Sequence, residues 1–235
     1  MKQGKHIEML SIVAKGLRDL KEQVVFLGGA TIGLHITDTA AADIRLTDDV
    51  DCVVEIAGRL KYYEFEEKLR RLGFKQSMDE DHPICRWKYG GILVDVMPTD
   101  EAILGFSNKW YKEGIKQADT FHLPNGLEIK IFSVPYLLAS KIEAFHGRGK
   151  KDFLMSPDIE DILILIDGCL ELKEKIAQSP TNVKGHIKKQ ISDLLKKKEF
   201  IECVHAHIES ANPTTGRQRA ERALIILKEI INNTQ

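Results

Sequence analysis

The spacing of apolar residues divides the chain into a first part with short β-type runs and a second part with helical periodicity. In the first part, apolar positions three and four apart predict helices at 7–21, 30–35 and 60–72, the last closed by Gly73. Short apolar runs predict strands at 24–27, 50–56, 84–88, 92–97, 120–123 and 127–131. Glycine-containing turns at 89–91 and 125–126 predict that the last four strands form two hairpins.

From Ser133 onward the periodicity of apolar residues changes to helical. It predicts helices at 135–146, 158–167, 170–178, 183–198, 199–209 and 218–231. We therefore predict an α+β fold, with a mixed β-sheet flanked by helices in a core domain over 1–131 and an all-helical C-terminal domain over 132–235. No internal repeat or low-complexity linker separates the two parts.

Composition and charge exclude some classes of protein. The formal net charge of −1 argues against a protein that grips nucleic acid everywhere by neutralising phosphates. Residues 38–100 carry fourteen acids against nine Lys and Arg, whereas residues 182–235 carry ten Lys and Arg against six acids. An acidic half suits metal binding and a basic half suits a phosphate-bearing partner. The alternative for the basic half is a set of lysines that solvate a helix.

Cysteine usage and hydropathy predict a cytoplasmic protein that does not span a membrane. The four cysteines have neither the close pairing of a zinc site nor a redox Cys-x-x-Cys spacing, so we expect reduced thiols. The longest purely aliphatic run covers residues 162–166, which is too short for a membrane span.

Three acids in the first part are candidates for a metal site. Asp49 and Asp51 lie two apart at the start of a predicted strand, so their carboxylates should share one face. Because two like charges held that close repel, we expect them to lie near solvent with uncompensated charges unless a cation sits between them. Asp95 is the one ionisable residue of an otherwise apolar predicted strand. Taken singly, each acid also fits a structural role, as a solvated strand start or a satisfied acid on an edge strand.

A glycine pair provides a candidate phosphate contact. Gly28 and Gly29 follow an apolar strand and precede a short helix, an arrangement that can bring backbone N–H groups against phosphate oxygens. The alternative is a tight strand-to-helix turn with no ligand. The combination of this turn with three carboxylates favours one metal and phosphate site over separate structural explanations.

The order of these motifs resembles that of the polymerase-beta-like nucleotidyltransferase superfamily. The resemblance rests on Gly28-Gly29, Thr47-x-Asp49-x-Asp51 and the later Asp95. Further along, the chain resembles the abortive-infection toxin nucleotidyltransferases of the AbiE and AbiG groups. That part of the resemblance rests on Lys141, Arg148, Asp158 and Asp161. Gly29 departs from the pattern, because many members of the superfamily have serine there.

The resemblance implies an enzyme that moves a nucleoside monophosphate from a nucleoside triphosphate such as ATP to an acceptor hydroxyl by a two-metal mechanism. It implies that Asp49, Asp51 and Asp95 bind Mg²⁺ or Mn²⁺ and are catalytic. It assigns nucleotide binding to Gly28, Gly29, Thr47, Lys141, Arg148, Asp158 and Asp161. In such an enzyme Lys141 would neutralise the triphosphate, whereas a lysine on an amphipathic helix would ordinarily lie at the surface.

Several functions stay open at this point. The acceptor could be RNA, a protein or a small molecule, and the enzyme could act as a toxin or phage-defence component with an antitoxin protein as partner. The alternatives are a catalytically inactive nucleotide-binding or RNA-binding protein, or a toxin–antitoxin interaction module on the same fold. Arg45 and Arg148 are weaker phosphate-binding candidates, because each could instead pair with a nearby acid such as Asp43 or Asp152.

Overall fold

A computed structural model describes residues 2–41, 43–77, 83–148, 152–211 and 214–232. These residues form seven strands and eleven α-helices. In the first part of the chain the elements are α1 (Lys2–Leu17), β1 (Val24–Leu27), α2 (Gly29–Ile32), β2 (Asp49–Val54), α3 (Arg59–Arg71), β3 (Lys75–Gln76), β4 (Arg86–Tyr89), β5 (Ile92–Pro98), α4 (Glu101–Leu104), α5 (Tyr111–Lys116), β6 (Asp119–His122) and β7 (Glu128–Ile131).

The helices of the second part follow without an intervening strand among the described residues. They are α6 (Val134–Gly147), α7 (Pro157–Gly168), α8 (Leu172–Gln178), α9 (Thr181–Leu195), α10 (Lys198–Ala211) and α11 (Gly216–Asn232). The predicted α+β class, with a mixed sheet followed by an all-helical region, is confirmed.

The strands form one mixed sheet in the order β3-β4-β5-β2-β1-β7-β6. The central strand β2 runs parallel to its neighbour β5 and antiparallel to its other neighbour β1. Both predicted hairpins are present, as the antiparallel pairs β4 with β5 and β6 with β7. The side chains of β1 are all buried, which places this strand inside the core of the sheet.

Packing separates the described residues into two units. The first comprises Met1–Thr31 and Leu46–Ser133, and the second comprises Ile32–Arg45 and Val134–Gln235. The first contains the sheet, and the second contains helices α6 to α11. The domain boundary predicted between residues 131 and 132 stays a prediction, and this division additionally groups residues 32–45 with the helices.

A buried ion network fixes residues 32–45 within the second unit. The guanidinium of Arg219 in α11 lies 2.9 Å from a carboxylate oxygen of Asp38 and 2.9 Å from one of Asp167. The backbone N–H groups of Thr37 and Asp38 both donate to the carbonyl of Gly168 at 3.0 Å. A Cβ on Gly168 would lie 2.9 Å from the side chain of Ile36, so glycine permits this close approach.

Candidate functional site

The three predicted carboxylates lie on one face of the sheet, where two parallel strands run side by side. Asp49 and Asp51 are two residues apart in β2, and Asp95 in β5 is directly opposite Asp51. Residues paired across neighbouring strands point to the same face, as do residues two apart in one strand. The strand register therefore brings Asp49, Asp51 and Asp95 together, and we refer to these three as the carboxylate cluster.

A cation that sequence reasoning missed lies within this cluster. Arg86 in β4 is paired with Asp95 in the antiparallel register. Its Nε and Nη2 atoms each donate to one carboxylate oxygen of Asp95 at 2.7 Å, and Nη2 also donates to Asp49 at 3.1 Å. The hydrogen bonds with Asp95, supported by the negative charges of Asp95, Asp49 and Asp51, raise the pKa of Arg86 although burial opposes this. Arg86 is therefore a permanent positive charge at this site.

The expectation of an uncompensated charge is thus wrong for Asp49. Arg86 forms ion pairs with Asp49 and Asp95, and the Asp95 side chain is only 10% exposed. Asp49 is 30% exposed, so it lies nearer to solvent, as expected. Three carboxylates against one guanidinium leave a formal charge of −2 on these four residues, which still favours a divalent cation.

The chemistry of the cluster suits magnesium or manganese, but its arrangement in this structure is that of an ion-pair network. Carboxylate oxygens are the hard ligands that Mg²⁺ prefers. Within the described ranges, no three or more His, Cys, Asp or Glu side chains are already placed to hold a metal ion. Arg86 instead donates hydrogen bonds to both oxygens of Asp95 and to one oxygen of Asp49.

The glycine turn lies directly against Asp51. Leu27, the last residue of β1, is paired with Asp51, and Gly28 follows with a φ of +79°. A Cβ on Gly28 would lie 1.9 Å from a carboxylate oxygen of Asp51, so the absent side chain makes the space that this carboxylate fills. Gly29 is buried as the first residue of the four-residue helix α2. Its predicted contact with a phosphate stays a prediction.

Replacing Gly28 with alanine should destabilise the protein by more than the backbone conformation alone explains. Gly126→Ala is the matched control, because Gly126 has a φ of +81° and a Cβ added there would meet nothing within 4 Å. A left-handed backbone costs an L-residue about 1–2 kcal/mol, which both variants should lose in urea unfolding. Gly28→Ala should lose clearly more, because Asp51 must also move. Equal losses in the two variants would contradict a tight fit between Gly28 and Asp51.

Thr47 connects helix α1 to the carboxylate cluster. Its hydroxyl donates a hydrogen bond to Asp49, and its backbone N–H donates to Nε2 of the buried His6 at 3.2 Å. On the surface nearby, the ammonium of Lys5 lies 2.9 Å from the carboxylate of Asp48. Thr47 is therefore placed to orient Asp49, whereas its predicted contact with a nucleotide stays a prediction.

The thiols beside the cluster are not suited to nucleophilic chemistry. Burial raises the pKa of Cys52, and the charges of Asp51 and Asp95 add to this effect. Burial likewise raises the pKa of Cys85 to about 12, with Asp95 again contributing. A thiol with a raised pKa stays protonated and is a poor nucleophile or metal ligand. All four cysteines are free and buried.

The predicted residues of the helical part form a second charged cluster, within the second unit. Asp158 and Asp161 in α7 are each 1% exposed and lie three residues apart, so they share one face of the helix. The ammonium of Lys141 in α6 lies 2.7 Å from Asp161 and 3.4 Å from Asp158. Lys141 is 9% exposed, so the alternative of a surface lysine is excluded.

Two arginines complete this lysine–aspartate cluster. Arg148 pairs with Asp158 at 3.2 Å, and Arg45 pairs with Asp161 at 3.4 Å. Each arginine therefore pairs with an acid of α7. Asp43 and Asp152, the acids considered from the sequence, lie nearer to these arginines along the chain. These five residues thus bring three cations and two carboxylates together.

Comparisons with known proteins give likenesses among the solved structures only. No family model matches the chain, and no curated protein matches it. The solution structure of the antibiotic-resistance factor ANT(2'')-Ia is similar, with a TM-score of 0.48 and 15% sequence identity over 83% of this chain and 97% of that chain.

Across the part of the chain that the structure describes, no helix is both long enough and apolar enough to cross a bilayer.

Proposed function

We propose that this protein is a metal-dependent nucleotidyltransferase that transfers a nucleoside monophosphate from a nucleoside triphosphate to an acceptor hydroxyl. The observation that carries the proposal is the carboxylate cluster, in which Asp51 and Asp95 are direct neighbours on parallel strands and Asp49 shares their face. Its remaining negative charge suits Mg²⁺ or Mn²⁺, and the turn at Gly28 lies beside it. In the sequence, these residues occur in the order that the superfamily shares.

The residues of this chain can be given roles in that reaction. Asp49, Asp51 and Asp95 would hold the divalent ions, which would supply neutralisation of the charge on the triphosphate and on the acceptor oxygen. Thr47 would orient Asp49 through its hydroxyl hydrogen bond. The acceptor oxygen would bond to the α-phosphorus as pyrophosphate leaves, and Asp95 is our candidate to accept the acceptor's proton.

The lysine–aspartate cluster, a separate set of residues, supports the same proposal. Asp158 and Asp161 fix the ammonium of Lys141, and each of these acids also pairs with an arginine. A fixed cation group of this kind suits the binding of a triphosphate. We therefore propose Lys141 and Arg148 as phosphate-binding residues and Asp158 and Asp161 as the residues that position them.

The proposal extends to the biological setting through the resemblance alone. The AbiE and AbiG groups contain toxins, so we propose a toxin or phage-defence role in a bacterial cytoplasm, with an antitoxin protein as partner. The acceptor in that setting would be RNA, a protein or a small molecule.

Transfer of label from a nucleoside triphosphate tests the proposal. We expect the purified protein, incubated in a cell extract with Mg²⁺ or Mn²⁺ and each α-labelled triphosphate in turn, to label one class of macromolecule or metabolite. Labelling should disappear when EDTA is added, because the carboxylates then have no ion to hold. A γ-labelled triphosphate is the matched control and should leave the acceptor unlabelled, since that phosphate departs with pyrophosphate. Acceptor label from the γ position would instead indicate a kinase.

One observation favours a second candidate, a protein that binds a nucleotide without transferring it. Arg86 pairs with both oxygens of Asp95, which is the state expected of a retired metal site. Under this alternative, the labelled triphosphate would bind to the protein, but no acceptor would acquire label at any concentration of Mg²⁺ or Mn²⁺.

A further inference from the structure

Arg86 is held among the carboxylates by the fold of the sheet. The short turn between β4 and β5 places Tyr89 opposite Ile92, and this register places Arg86 opposite Asp95. The guanidinium and the carboxylate meet as a two-pronged pair with two hydrogen bonds of 2.7 Å. A third hydrogen bond of 3.1 Å reaches Asp49, so one side chain links acids from two strands.

These hydrogen bonds use the atoms that a metal ion would need. A divalent cation binds through the lone pairs of carboxylate oxygens, and N–H groups of Arg86 engage both oxygens of Asp95 and one of Asp49. A guanidinium and a metal ion on the same oxygens would also repel each other. Occupation of the cluster by Arg86 and occupation by a metal ion are therefore competing states.

Arg86 also has a function when no metal is bound. Without it, Asp49, Asp51 and Asp95 would be three like charges on one face of adjacent strands, with Asp95 nearly buried. Such an arrangement is unfavourable unless a cation compensates it. The Arg86 side chain is 17% exposed, so the network reaches solvent, where an incoming ion can compete with it.

We propose that Arg86 is a built-in counter-cation, which holds the carboxylate cluster together in the metal-free protein and is displaced when a divalent ion binds. This inference rests on the proposed metal-dependent function. It makes Arg86 a positioning residue that sets the metal affinity of the site. Its removal should have opposite effects on two quantities, since the metal-free protein becomes less stable and the ion binds more tightly.

Binding of Mn²⁺ alone, measured by calorimetry on the full chain without nucleotide, tests the proposal. Arg86→Gln should bind Mn²⁺ at least tenfold more tightly than the wild type. In EDTA, Arg86→Gln should melt at a lower temperature than the wild type. Addition of Mn²⁺ should raise the melting temperature of Arg86→Gln by more than it raises that of the wild type. Lys88→Gln is the matched control, because Lys88 is exposed, lies two residues along β4 and loses the same charge. Its Mn²⁺ affinity should change less than twofold.

Two further variants test the proposal even if Arg86→Gln does not fold properly. Arg86→Lys keeps a charge but loses the two-pronged geometry, so it should bind Mn²⁺ more tightly than the wild type and fold more stably than Arg86→Gln. Adding Asp95→Asn to Arg86→Gln should abolish the gain in affinity, because the released oxygens are then absent.

The outcomes separate this inference from the proposed function. If the wild type binds Mn²⁺ and transfers nucleotide, but removal of Arg86 leaves Mn²⁺ affinity unchanged or weaker, the counter-cation proposal is overturned and the enzyme proposal stands. If neither the wild type nor any Arg86 variant binds Mn²⁺, with or without nucleotide, both are overturned. An equal gain in Lys88→Gln and Arg86→Gln would show a general charge effect and would also overturn the specific role of Arg86.

Discussion

Replacing Asp51 with asparagine should lower the rate of nucleotide transfer by roughly a thousandfold, or about 4 kcal/mol of transition-state stabilisation. Asparagine keeps the shape that packs against Gly28 but loses the charge that would hold the metal ion. Because Asp51 faces two other acids, removal of its charge should not lower the melting temperature by more than a few degrees. Initial rates with the labelled triphosphate, measured alongside thermal melts, check both expectations.

Asp48→Asn is the matched control for this experiment. Asp48 lies three positions before Asp51, its side chain is 86% exposed, and its hydrogen bond and ion pair with Lys5 lower its pKa. Its replacement removes the same charge close to the site but touches none of the proposed metal ligands, so turnover should stay within about twofold. Wild-type turnover in Asp51→Asn would remove the carboxylate cluster from consideration as the catalytic centre.

Much of the sheet could be predicted because its strands are short apolar runs between glycine or polar turns. β1 lies at residues 24–27, where the sequence pattern placed it. The elements that were missed are the two-residue strand β3 and the short helices α4 and α5, which are too brief to show a period. Asp100 accepts a hydrogen bond from the backbone of Ala102 at the start of α4, so a local cap and not periodicity determines this helix.

The carboxylate cluster was predictable, but its counter-charge was missed. The spacing of Asp49 and Asp51 places them on one face in any strand, whereas the position of Arg86 depends on the register between β4 and β5. A signal was present, because the turn at Gly90 and Gly91 fixes that register and so sets Arg86 opposite Asp95. The turn predicted at residues 89–91 would instead have paired Cys85 with Asp95, so a turn longer by one residue hid the position of Arg86.

The grouping of residues 32–45 with the helices could not be predicted from local pattern. It involves long-range contacts such as the pair between Arg219 and Asp38, which lie 181 positions apart in the sequence. Neither residue belongs to a motif, and charged residues are frequent in this chain. Long-range ion pairs of this kind are visible only once the fold has brought the two partners together.

Replacing Lys141 with alanine should destabilise the protein by about 3 kcal/mol, the lower end of the usual effect of breaking a buried ion pair. The substitution would leave Asp158 and Asp161, both almost fully buried, without the ammonium that lies 2.7 Å from Asp161. The remaining pairs with Arg45 and Arg148 moderate the loss. Urea unfolding measures this change in free energy.

Lys173→Ala is the matched control, because Lys173 also lies 2.7 Å from a carboxylate oxygen, that of Glu229, but both side chains are substantially exposed. An exposed pair contributes at most about 1 kcal/mol, so this variant should be nearly as stable as the wild type. Comparable losses in the two variants would contradict the importance of burial. The burial of Lys141 also changes the expectation for a catalytic test, since a phosphate-binding lysine at the surface could be removed with little effect on stability.

The contribution of Lys141 to transfer must therefore be measured well below the melting temperature of the variant. Under those conditions Lys141→Ala should lower turnover at least tenfold, which corresponds to about 1.4 kcal/mol. Asp161→Asn keeps the ammonium but removes its nearest partner, and we expect a tenfold loss there as well if Asp161 positions Lys141. Unchanged turnover in both folded variants would make the lysine–aspartate cluster a structural network of the helical unit, and the proposed chemistry would then depend on the carboxylate cluster alone.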